Sequence, residues 1–142
     1  MKVLAVDLGR VRTGIAVSDP TGFIASPYGT ITQRNPDALV KQVAKIAKEQ
    51  GAGQIVVGYP RNMDGSCGES ARFSESFAAL LETESGLPVK LWDERMTTMS
   101  AIGILNETDT RGKKRKEIVD TVAATIILQD YLDSIRNRKN GG

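Results

Sequence analysis

Apolar residues follow one another almost without a break at the start of the chain: Val3, Leu4, Ala5, Val6 and Leu8. Such a run marks a central strand covered on both faces, whereas a surface strand would alternate. Asp7 interrupts it. A segment bracketed by Gly9 and Gly14 then leads into a second apolar stretch ending at Ser18, so the pattern predicts strand, tight turn, strand. Asp19-Pro20-Thr21-Gly22 supplies the next turn, and Phe23 to Thr32 reads as a third strand whose Pro27 suits a sheet edge or a bulge. Asn35 and Pro36 open a helix in which Leu39, Val40, Val43, Ile46 and Ala47 recur at helical spacing until Gly51. Gln54 to Gly58 is a short buried strand, followed by a loop from Tyr59 to Gly65. A second helix, Gly68 to Glu84, presents Phe73, Phe77, Leu80 and Leu81 on one face and is closed by Gly86 and Pro88. Val89 to Trp92 is a fifth strand that delivers Asp93, Glu94 and Arg95 at its end, before Thr97 or Thr98 caps a third helix. A polar, basic loop from Glu107 to Lys116 leads to a last helix, Glu117 to Ile135, and residues 136–142 are expected to form a frayed tail.

Strands joined by helices run parallel through right-handed crossovers. The order therefore predicts an α/β fold: a mixed five-stranded sheet, three strands antiparallel and two parallel, with helices on both faces. A length of 142 residues, 40% hydrophobic and 25% charged, suits a single domain over residues 1–135 with one core. No apolar run approaches the roughly 18 residues that span a bilayer, and the first run meets Asp7 too early for a signal peptide. A cytoplasmic protein with no membrane contact is expected. Cys67 is the single cysteine; it supports neither an internal disulfide nor a zinc site, and fits a reducing compartment.

The chain contains no histidine. That excludes Ser-His-Asp and Cys-His catalysis and leaves carboxylates, hydroxyls, lysine and arginine for any chemistry. An ionised carboxylate in an apolar strand is costly, so Asp7 needs a cation, a hydrogen-bond cage or a metal ion. On the last helix Val119, Val122, Ala123, Ile126 and Ile127 define the expected buried side. Asp120 falls inside that arc, between Ile127 and Ala124, and the alanines permit close approach to the sheet. With Glu94 leaving the last strand, Asp7 and Asp120 make three acids expected to converge on one or two Mg²⁺ or Mn²⁺ ions, which prefer oxygen ligands. Two such ions about 4 Å apart hydrolyse phosphodiesters without histidine. A net charge of +2 implies no general affinity for nucleic acid. The local distribution does: Lys113, Lys114, Arg115 and Lys116 stand in a row before the last helix, and Arg10, Arg12, Arg61 and Arg95 surround the acids in sequence. Each signal has an ordinary alternative: a capped Asp in a hairpin, an Asp in a helix's first turn, a surface acid pair, a solvated basic loop.

Five segments in order resemble the YqgF (RuvX) family. They are D-L-G-x-x-R-x-G-x-A-x-S-D from Asp7 to Asp19, G-x-P from Gly58 to Pro60, F-A-x-x-L from Phe77 to Leu81, P-V-x-L-x-D-E-R-x-T-T from Pro88 to Thr98, and V-D-x-x-A-A-x-x-I-L-Q-x-Y-L from Val119 to Leu132. The resemblance implies an RNase H-like fold related to the RuvC junction resolvases. It further implies a metal-dependent nuclease processing the 5′ end of the small-subunit ribosomal RNA precursor, with ribosomal particles as partners, and places the acidic positions at Asp7, Glu94 and Asp120. Where the family often has Lys-Arg in the first turn, this chain has Val11-Arg12 with Arg10 beside them. Asp93 and Asp64 are candidates for the fourth acid common in RuvC-like sites. Two other readings stand beside the RNA nuclease: a resolvase of four-way DNA, which would be a symmetric dimer where a monomer is favoured here, and a non-catalytic nucleic-acid-binding factor. A nucleotide-binding module like the actin-like kinases would need a second lobe that this length does not supply.

Overall fold

A computed structural model describes residues 1–59, 68–93 and 112–140, the last segment with side chains from Thr121 to Arg136. Its elements are β1 (Val3–Asp7), β2 (Arg12–Ser18), β3 (Ala25–Thr32), α1 (Pro36–Gln50), β4 (Gln54–Tyr59), α2 (Glu69–Ser85), β5 (Val89–Asp93) and α3 (Gly112–Asn140). The apolar run of β1 lies at the centre of a sheet ordered β3-β2-β1-β4-β5. β1 to β3 are antiparallel, and β4 and β5 continue parallel to β1, with Val6 level with Val57 and Val57 with Leu91. This is the expected mixed sheet.

Strand alternation feeds two cores. Leu4, Val6, Ile15, Ile55 and Val57 pack under α1 and α2 with Leu39, Val43, Phe77 and Leu81. Val3, Ala5, Ala16 and Val56 pack under α3 with Ala124, Ile127, Leu128, Tyr131 and Leu132. Helices thus cover both faces. No helix among the described residues is long and apolar enough to cross a membrane.

Local chemistry sets the boundaries. Asn35 accepts the N–H groups of Asp37 at 2.9 Å and Ala38 at 3.2 Å, capping α1, and Gly51 ends it in the left-handed region at φ 68°. On the edge strand β3, Ile15 pairs with Gly29 and Ala16 with Pro27, which leaves Tyr28 as the bulged residue. The β2–β3 turn is tied by Asp19, whose carboxylate accepts the N–H groups of Phe23 at 2.7 Å and Ile24 at 2.9 Å. Phe23 and Ile24 belong to this turn, so β3 begins at Ala25 rather than at Phe23.

Three helical expectations are corrected. Leu80 is 47% exposed, because the buried stripe of α2 runs through Ala71, Ser74, Phe77, Ala78 and Leu81 and position 80 lies about 120° from its centre. The last helix runs Gly112–Asn140, not Glu117 to Ile135. Lys113, Lys114, Arg115 and Lys116 therefore belong to its first turns and not to a preceding loop. Lys and Arg are good helix formers, and the helix dipole opposes positive charge at this end by only about 0.3–1 kcal/mol per residue. Its buried side is centred on Ala124, Leu128, Tyr131 and Leu132, with Val122, Ala123 and Ile126 only half-buried. The expected third helix after Thr97 or Thr98 lies outside the described residues.

Candidate active site

Asp7 is the last residue of β1, half-buried and opposite Gly14 of β2. Alternation along β1 puts it in the set of Val3 and Ala5, on the face covered by α3. Because β1, β4 and β5 are parallel and in step, their carboxyl ends form one edge of the sheet. Asp7, the Gly58-Tyr59 end of β4 and the Trp92-Asp93 end of β5 all stand on it. That edge is where open α/β sheets build their sites. Asp93 shares the alternation of Val89 and Leu91, which pack with the α1/α2 core. It therefore falls on the face opposite Asp7, which does not suit it as a fourth ligand beside Asp7.

The turn after Asp7 is closed by specific contacts. Thr13 is fully buried and its hydroxyl lies 3.3 Å from both N and O of Gly9, accepting from one and donating to the other. A Cβ at Gly9 would stand 1.9 Å from the carbonyl oxygen of Arg12, so only glycine permits this approach. The turn leaves Arg10 exposed at its tip and Arg12 half-buried at the start of β2, level with Thr32. Arg10 extends toward α2: its Nη2 is 3.4 Å from Glu69 Oε1 and its guanidinium lies over the Phe73 ring, 4.7 Å from the centroid.

The remaining predicted site residues divide into two groups. Position 120 is in α3, one helical turn before Ala124 and two before Ile127, both buried against the sheet. The side chains of Asp120, Lys113, Lys114 and Arg115 lie outside the described residues, as do Glu94, Arg61, Arg95 and Asp64 entirely. Among the described residues no three of His, Cys, Asp and Glu gather as a metal-binding group. Asp7 is the described member of the expected trio.

Sequence reasoning missed several residues that the fold brings together. Trp92 and Tyr131, distant in sequence, meet edge to face with ring centroids 5.6 Å apart, and Lys90 lies 5.8 Å over the Tyr131 ring. Gln129 accepts from the N–H of Ala25 at 2.9 Å and donates to the carbonyl of Phe23 at 3.1 Å, fastening α3 to the start of β3. Its place in the Val119 to Leu132 motif was the available signal. Thr30 and Thr121 hydroxyls, 3.0 Å apart, tie the same two elements.

The family model described as "RuvX: Holliday junction resolvase" matches residues 1–134. A protein of Lachnospira eligens named "Putative pre-16S rRNA nuclease" is 44% identical over 137 residues, covering 94% of this chain and 98% of that protein. One of the same name from Geobacillus kaustophilus is 47% identical over 139 residues, covering 96% and 100%. Among solved structures, Thermus thermophilus RuvC in complex with a Holliday junction substrate superposes with a TM-score of 0.61 at 12% identity, covering 94% of this chain and 96% of that one. That likeness is one of fold, and the fold is RNase H-like.

Proposed function

The chain belongs to the RuvX family, and we propose that it is a metal-dependent nuclease that hydrolyses phosphodiester bonds in structured RNA, trimming the 5′ end of the small-subunit ribosomal RNA precursor in the cytoplasm. The observation that carries the reading is Asp7: a carboxylate at the carboxyl end of the central strand, on the face that α3 covers, beside an arginine-bearing turn. The relatives at 44% and 47% identity, both named "Putative pre-16S rRNA nuclease", support RNA as the substrate.

Asp7, Glu94 and Asp120 would hold Mg²⁺ or Mn²⁺, and this donor set fits them: carboxylate oxygens only, in a chain without histidine. The chemistry such an ion supplies is charge neutralisation at the phosphate and an activated water. The chain's own contribution is positional. β1 is locked between β2 and β4, so Asp7 is held on a rigid element. Glu94 acts as ligand or as the base that orients water. Arg10, Arg12, Arg61 and Arg95, with Lys113, Lys114 and Arg115 on the first turns of α3, bind the nucleic-acid backbone and fix its register.

The description of the family as a Holliday junction resolvase favours a second substrate, the four-way DNA junction. One experiment separates the two. Precursor RNA with its native 5′ leader and a four-way DNA junction are each incubated with protein and Mn²⁺ or Mg²⁺, alongside Asp7→Asn. Cleavage of the RNA alone, abolished by Asp7→Asn, is the expected result. Cleavage of the junction alone establishes the resolvase, and cleavage of neither, with RNA binding retained, leaves a binding factor.

A further inference from the structure

Arg10 follows Asp7 by three residues, within about 10 Å along the chain. It does not lean toward the α3 face. Its two contacts, Glu69 at 3.4 Å and the Phe73 ring at 4.7 Å, both come from the start of α2, on the other side of the sheet. Neither contact suits a folding role. The ion pair is 58% and 89% exposed, and a pair that wet contributes little to stability. Phe73 sits at the edge of the α2 stripe, half-buried, and lends its ring to a cation while Phe77 and Leu81 fill the core. What the contacts do is restrict a long, flexible side chain to one place at the carboxyl edge of the sheet.

A guanidinium over a ring is held through its face, and its N–H donors project from its rim. Glu69 engages Nη2, and its own high exposure makes it easy to displace. We propose that Phe73 and Glu69 are positioning residues that hold Arg10 ready for a backbone phosphate of the substrate next to the one cleaved at Asp7. The arriving phosphate takes Glu69's place on Nη2 while the Phe73 contact persists. The nature of the anion rests on the nuclease reading above. The substrate strand then crosses the sheet's carboxyl edge, from Asp7 on the α3 side to Arg10 on the α2 side.

The test is binding of a fluorescently labelled precursor-RNA fragment, followed by anisotropy across a KCl series with EDTA present so that no cleavage occurs. Arg10→Ala weakens binding about tenfold and lowers the slope of log Kd against log[KCl] by about one. Phe73→Leu, which keeps an apolar side chain and removes the ring, weakens binding about two- to fivefold, while Phe73→Tyr restores it. Glu69→Gln, a near-isosteric change at an 89% exposed side chain, tightens binding about twofold. Equal affinities for Phe73→Leu and Phe73→Tyr, or weaker binding by Glu69→Gln, overturn the Arg10 seat and leave the nuclease reading intact. No RNA binding by the unmodified protein overturns both.

Discussion

The two faces of the sheet are covered by helices but built from different side chains. Under α1 and α2, the strand residues Leu4, Val6, Ile15, Ile55 and Val57 meet Leu39, Val43, Phe77 and Leu81, a layer of large aliphatic and aromatic groups. Under α3 the strands offer Ala5 and Ala16 beside Val3 and Val56, and the helix answers with Ala124 among its larger residues. Small side chains let a helix sit close. Polar links also cross this second interface: Thr30 to Thr121, and Gln129 to the backbone at Phe23 and Ala25. Asp7 belongs to the second face. A carboxylate in the middle of the first layer, in place of Val6 or Val57, would face side chains that offer it neither hydrogen bonds nor water, at a cost that shifts its pKa or unfolds the protein. The first face is thus packed with the larger side chains, and the second holds the smaller ones together with Asp7 and the polar links to α3.

Substitutions on opposite faces should separate activity from stability. Asp7→Asn is near-isosteric and should reduce RNA cleavage by about a hundredfold or more, while leaving the urea midpoint unchanged or slightly raised. Phe77→Ala, on the other face, should lower the unfolding free energy by about 3–5 kcal/mol. Cleavage per folded molecule should nevertheless remain close to that of the unmodified protein. Urea titrations and initial cleavage rates on both variants check this. Loss of activity from Phe77→Ala at full folding would mean that the two faces are mechanically coupled.

What was legible in the sequence follows the same division. Features encoded by neighbouring residues were readable: the Asn35 cap, the Gly51 stop, the closed turn at Gly9 and the edge position of Pro27. Asp7 stood out because a charge in an apolar run has few native explanations. Features that depend on a partner far along the chain were not readable. Leu80 and Leu81 look alike in a helical pattern, and only contact with the sheet decides that one is buried and the other exposed. The apolar residues of α3 extend around much of the helix, and only contact with the sheet decides that Ala124, Ile127 and Leu128 are buried while Val122, Ala123 and Ile126 are half-buried. The same holds for Phe73 against Arg10 and for Trp92 against Tyr131, residues that read singly as core or as scattered aromatics. Of the three expected acids, the side chains of Glu94 and Asp120 lie outside the described residues, and their convergence with Asp7 stays part of the proposal.

The close approach of α3 can be tested by enlarging it. Ala124 is fully buried against the sheet, one turn after position 120. Ala124→Leu should overpack this contact, cost about 1–3 kcal/mol and push the helix outward. Because the same displacement moves position 120 away from β1, cleavage should fall by more than the loss of folded protein explains. A matched change on the other face, Val43→Leu, should cost similar stability without that extra loss.

The smallest effect concerns the turn that α3 grips through Gln129. The Asp19 carboxylate accepts the Ile24 N–H, the Thr21 hydroxyl and the Phe23 N–H, and these bonds hold its pKa well below the usual carboxylate range. A depressed folded-state pKa means that the ionised form favours the native turn. Its contribution is present in full above the unfolded value of about 3.9, declines as the pH falls below that, and is gone beneath the folded value. Asp19→Asn keeps an acceptor oxygen and loses the charge. The stability difference between the unmodified protein and this variant should therefore be constant from about pH 7 to pH 5 and shrink between about pH 4 and pH 2, measured by urea unfolding. A difference that stayed constant to the acid limit would show that acceptor geometry holds this turn, and that the charge at position 19 adds nothing to the α3 side of the sheet.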